Sequence, residues 1–130
     1  MIKEKAKEYF LEGDYNCAES IILAARDTLG LDIPKDSFKL LSAFGGGLGC
    51  GKTCGAIAAA ASIYGLTKVG GRAHEREEFK EEMAAFVGEL EKLLDSTDCD
   101  DIKPRMFDEE VRCLKVVEAV SDALEEKLAY

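Results

Sequence analysis

Residues 43–64 read AFGGGLGCGKTCGAIAAAASIY, and the fold turns on how this stretch is understood. Gly45, Gly46, Gly47, Gly49 and Gly51 make a loop whose backbone can adopt positive φ and approach another group closely. The alanine-rich run from Ala56 onward is strongly helix-forming. Its small side chains from Ala56 to Ser62 let neighbours approach on nearly every side, as an element in the middle of a helical bundle must allow. The expected central helix spans 52–64 and ends at Gly65. Cys50 and Cys54 sit at the junction of loop and helix. A thiol at a helix start meets unpaired N–H groups and the positive end of the dipole, so thiolate is the expected form.

Outward from this stretch, helical periodicity recurs. Ile2, Ala6, Tyr9 and Phe10 share one face of an amphipathic helix over 2–12, closed by Gly13. Asn16 followed by Glu19 fits a capping box, which puts Cys17 at the first position of a second helix running through Ile21, Ile22, Ala25 and Leu29 to Gly30. Cys17 is thus another thiol at a helix start. A shorter helix carrying Phe38, Leu41 and Phe44 leads into the glycine loop. Beyond the Gly70-Gly71 turn, Phe79, Met83, Phe86, Val87, Leu90 and Leu94 recur at helical spacing, predicting a helix from Arg72 to about Asp95. Residues 96–107, with Cys99 and Pro104, read as the longest irregular connection. Asp108 is the expected cap of a last helix whose inward stripe is Cys113, Val117, Val120, Leu124 and Leu128. No strand signal appears. The expected architecture is an all-α, single-domain irregular bundle of five or six helices over residues 1–130, around the alanine-rich helix.

Composition narrows the function classes. The 130 residues are 47% apolar and carry a formal net charge of −9, which argues against nucleic acid because phosphate contacts need a basic face. No apolar run reaches membrane-spanning length, and the N-terminus MIKEKAKEYF is too charged for a signal peptide, so a cytoplasmic protein is expected. In that reducing compartment five cysteines are not a disulfide framework, which leaves metal binding, thiol chemistry or burial.

Residues 46–53 match G-x-x-x-x-G-K-[ST], the phosphate-cradling loop of nucleotide-binding proteins. That mechanism needs a strand entering the loop and a parallel sheet behind it. Residues 37–44 read as helix and no βαβ alternation follows, so nucleotide binding is rejected. His74, in a charged stretch, reads as a solvated surface residue, and the acidic runs 75–82 and 98–101 as solvated helix face and capping. Calcium loops of known spacing are absent.

The segments Tyr15-Asn16-Cys17-Ala18, Phe44-Gly45-Gly46-Gly47-Leu48-Gly49 and Cys54-Gly55-Ala56, followed by Cys99 and Cys113, resemble a family of redox-active proteins known by the signature C…GCAxxG…C…C. The resemblance covers nearly the whole chain. It implies a small helical protein with redox or metal chemistry at four cysteines, here Cys17, Cys54, Cys99 and Cys113. Three departures stand out: Cys50 is an additional thiol, Ala59 replaces an expected glycine, and the connection from Cys99 to Cys113 is short.

Two chemistries follow. In the first, Cys17 and Cys54, with Cys50 forming a candidate dithiol with Cys54 if the helix begins near Gly51, carry out thiol–disulfide exchange with an unidentified redox partner protein. In the second, Cys17, Cys54, Cys99 and Cys113 ligate an iron–sulfur cluster or another metal such as zinc, with N–H groups of the glycine loop (Gly45, Gly46, Gly47, Gly49, Gly51) donating to it. No C-x-x-C pair occurs, so spacing does not choose between them, and a centre shared across a homodimer is equally compatible. A third reading, from another class, is a non-catalytic scaffold whose small-residue helix mediates packing and whose thiols are simply buried.

Overall fold

A computed structural model describes residues 1–129. Six α-helices follow in order: α1 (Ile2–Leu11), α2 (Cys17–Leu29), α3 (Gly55–Lys68), α4 (Phe79–Leu94), α5 (Cys99–Met106) and α6 (Leu114–Leu128). A run of 3₁₀ turns, Lys35–Phe44, joins α2 to the glycine loop. No sheet forms among the described residues; the only β-like pairings are the isolated bridges Thr53–Asp98 and Asp108–Arg112. The fold is an all-α bundle.

The core follows from the stripes of α1, α2, α3, α4 and α6. Ile2, Ala6 and Phe10 of α1 pack on α2 and α6, while α2 is buried continuously from Ile21 to Ala25. On α3, Ala56, Ala59 and Ala60 are fully buried, which permits the close approach of α2 and α6. Phe86, Leu90 and Leu94 of α4 and Val117, Val120 and Leu124 of α6 complete the interior.

Several boundaries differ from expectation, each for a local reason. The central helix starts at Gly55, because Leu48, Gly49 and Cys50 have non-helical dihedrals and Lys52, with ψ −135°, is not helical either. It also runs past Gly65 to Lys68, where Thr67 Oγ1 donates to the Ile63 and Tyr64 carbonyls. In the region read as the start of a helix at Arg72, the chain makes a short 3₁₀ turn at Ala73–Glu75 before α4 begins at Phe79. Residues 96–107 are not irregular, since they contain α5. Asp108 does not cap α6: its carboxylate accepts from the Glu110 and Val111 N–H groups in a tight turn, and α6 starts at Leu114. Cys113 therefore precedes the helix instead of riding on it. His74 is exposed, as its charged surroundings suggest.

Candidate functional site

The cysteine at the start of α2 is placed by a complete capping box. Asn16 Oδ1 accepts from the Glu19 N–H at 2.8 Å, and Glu19 Oε1 accepts from the Asn16 N–H at 2.9 Å. Asn16 Nδ2 also donates to the Ser42 carbonyl at 3.1 Å, which ties this helix start to the segment entering the glycine loop. The cap thus orients Cys17 towards that loop.

Glycine is required where the loop closes on the cysteines. At Gly55 an added Cβ would lie 2.9 Å from Cys17 Sγ and 2.8 Å from the Phe44 carbonyl oxygen, so any side chain there displaces the Cys17 sulfur or the Phe44 backbone. Gly47 has φ +66°, and its Cβ would sit 2.6 Å from Cys99 Cβ and 2.6 Å from the Lys52 backbone. The loop around it is closed by the Lys52 N–H donating to the Gly47 carbonyl at 2.9 Å.

Cys99 arrives from far along the chain. Its N–H donates to the Lys52 carbonyl at 2.6 Å, and the Cys54 N–H donates to the Thr97 carbonyl at 2.8 Å. These two bonds staple the start of α5 to the start of α3. The turn from Asp108 to Arg112 then swings Cys113 back: the Asp108 N–H donates to the Arg112 carbonyl, and Arg112 Nη2 donates to the Phe10 carbonyl at 2.8 Å while its guanidinium stacks on the Phe10 ring.

The result is one cavity of about 210 Å³ whose wall includes Cys17, Cys54, Cys99 and Cys113 together with Gly45, Gly46 and Gly47. Cys50, Gly49 and Gly51 are not part of it. Cys50 lies exposed on the outer side of the loop, its thiol donating to the Gly47 carbonyl at 3.7 Å. The candidate Cys50–Cys54 dithiol rested on a helix beginning near Gly51; with the helix beginning at Gly55, Cys54 is buried and Cys50 faces out.

The thiol electrostatics also depart from expectation. Burial pushes the Cys17 thiol up from 9.0 to about 12, with repulsion from charge on Cys54 and Cys113 adding to it and the Ala18 N–H opposing. Burial raises Cys54 as well, against the pull of the Ile57 and Ala56 N–H groups, which face the sulfur without closing a side-chain cap hydrogen bond. Cys113 is raised by burial and by Cys99, and eased by Lys103. Desolvation therefore outweighs the helix dipole, and Cys17 and Cys54 stand as neutral thiols at pH 7 in the absence of a compensating charge. All five cysteines are free in this structure. Among the described residues no group of three or more His, Cys, Asp or Glu side chains is placed to hold a metal ion, and the cysteines line the wall of the cavity instead of converging on a point.

Three features of this site were not singled out in the sequence. Lys103, Arg112 and Phe107 share the cavity wall with the cysteines. Spacing on α5 would have placed Lys103 four residues from Cys99, but only with that helix recognised.

No curated protein and no solved structure gives a match to this chain. A family model described as "Putative redox-active protein (C_GCAxxG_C_C)" matches residues 15–127, which takes in the four cavity cysteines and the glycine loop, and the chain belongs to that family.

Proposed function

We propose that this is a redox protein whose four cavity cysteines act as a set, ligating a redox centre of several atoms, with an iron–sulfur cluster as the class that four thiolates suit. The carrying observation is the shared cavity: four sulfur-bearing residues from four separate parts of the chain line one space of about 210 Å³, far more than one ion or one water needs. The donor chemistry fits. Buried thiols that stay protonated alone are deprotonated when a metal cation offsets the charge, so their resistance to ionisation is compatible with ligation and makes it release protons.

Cys17, Cys54, Cys99 and Cys113 would hold the cluster, which when bound supplies one-electron transfer. This chain's own contribution is positional. Gly47 and Gly55 clear the space beside Cys99 and Cys17, the bonds of Cys99 and Cys54 to Lys52 and Thr97 hold the two helix starts together, and Phe10, Ile102 and Val116 exclude water from the apolar part of the wall. Purification under anaerobic conditions, or reconstitution with ferrous iron and sulfide, tests this. The expected result is a broad visible absorption that bleaches on reduction, with iron and sulfide bound to the chain. A colourless chain that takes up neither would remove the reading.

A second reading is favoured by one contact, the Cys17 sulfur resting against Gly55 beside Cys54. In it the Cys17 and Cys54 thiols lose two protons and two electrons to form one S–S bond, and a disulfide-class oxidant accepts them to become two thiols. Incubation with oxidised glutathione followed by peptide mass mapping checks it: a Cys17–Cys54 linked peptide is expected, and mixed disulfides on Cys50 alone would remove it.

A further inference from the structure

The chain carries 26 acidic against 17 basic residues, yet the thiol cavity has no Asp or Glu in its wall and two cations, Lys103 and Arg112. Their placement is structural. Arg112 is held by its bond to the Phe10 carbonyl and its stacking on the Phe10 ring; Asp14 reaches its Nη1 at 3.5 Å from outside the cavity. Lys103 stands with Nζ 5.1 Å from the centre of the Phe107 ring and forms no ion pair among the described residues. Both cations share the cavity wall with Cys113, Arg112 preceding it directly in the chain. An acidic protein surface repels anions, whereas the charged side chains nearest the four thiols are these two cations, with Asp14 and Asp100 beside them but outside the wall.

We infer that Lys103 and Arg112 make this cavity selective for small anionic redox reactants, such as a carboxylate-bearing thiol or disulfide, over neutral or cationic ones. A cavity of about 210 Å³ suits a small molecule, and its wall offers two cations to a carboxylate and four cysteines to a sulfur. The inference rests on the proposed reading of the cavity as the redox site. It concerns the cavity with its cysteines as free thiols, the state of the second reading above and of the chain before any centre is loaded.

The test uses the full-length, cluster-free chain with Cys50→Ser, which silences the exposed thiol. Rates of cavity-thiol modification are compared for anionic sulfonatoethyl and cationic trimethylammonioethyl methanethiosulfonate. Each rate is divided by that of the same reagent with a small neutral thiol in free solution, so the ratio of the two normalised rates cancels the intrinsic reactivity of reagents and thiols alike, and it is unaffected by whether a cluster can be assembled. At low ionic strength the anionic reagent should react at least about tenfold faster, and the preference should shrink as salt screens the field. Lys103→Gln should reduce the ratio by about fivefold, as expected for one unit charge several ångströms away acting on reagents of opposite sign. Lys103→Arg should keep it. A ratio near one, a cationic preference, an unchanged ratio in Lys103→Gln, or cavity thiols that neither reagent reaches would each overturn the inference. Any of these leaves iron and sulfide reconstitution free to succeed on its own.

Discussion

The two sides of the thiol cavity are built in different ways. The floor, with Cys17 and Cys54, belongs to the starts of α2 and α3, whose following turns are buried against one another and against α6. The cover, residues 96–113 with Cys99 and Cys113, buries one side chain in α5 fully, Ile102, rests Met106 and Val111 half-buried on the core, and is otherwise tied by backbone bonds to Lys52 and Cys54, by Arg105 Nη2 donating to the Leu94 carbonyl at 2.8 Å and by Arg112 on Phe10. Sulfurs on the floor are placed by the same packing that stabilises the fold. Those on the cover are placed by a few polar ties, so the cover is the side able to open without unfolding the bundle.

The largest effect expected from this difference is at the seam. Gly55→Val forces a branched side chain against Cys17 Sγ and the Phe44 carbonyl and should cost about 3 kcal/mol or more in urea unfolding. Within the floor, Ile21→Ala should lower global stability by about 2–5 kcal/mol. Ile102→Ala on the cover should instead raise amide hydrogen exchange over residues 97–107 while exchange in α2 and α3 stays slow. Equal loosening of both sides would erase the comparison. Asn16→Ala, which removes the cap presenting Cys17, should cost about 1 kcal/mol by the same unfolding measurement.

The pH dependence sharpens the same contrast. The folded state holds the Cys17 proton up to about 12, whereas an unfolded thiol releases it near 9.0, so the folded chain binds the proton more tightly. Its contribution to stability is complete below pH 9 and is lost as pH rises towards 12; Cys54 and Cys113 act in the same direction. Denaturant midpoints of the cluster-free chain should fall over that range. Cys17→Ala should flatten the fall.

The floor was legible in the sequence because its signals are local. The Asn16–Glu19 pair, the spacing of Ile21, Ile22 and Ala25, and the alanine run each report on neighbours within a helical turn or two. The cover was not, because Pro104 reads as a breaker, although an eight-residue helix accommodates it and is anchored by bonds to residues some 47 positions earlier, from Cys99 to Lys52. Cys113 fits the periodicity of α6, and only the turn at Asp108 removes it from that helix. The thiol electrostatics failed for a related reason. A helix start is visible in sequence, whereas the burial that overrides it depends on which distant elements close over the sulfur.

The most direct test of the account is iron and sulfide bound per chain after anaerobic reconstitution of five single variants, each with one cysteine changed to serine. Cys17→Ser, Cys54→Ser, Cys99→Ser and Cys113→Ser should each lose the centre or hold it weakly, while Cys50→Ser binds as the parent does. Equal loading in all five, or a loss confined to Cys50→Ser, would contradict a centre held in the shared cavity.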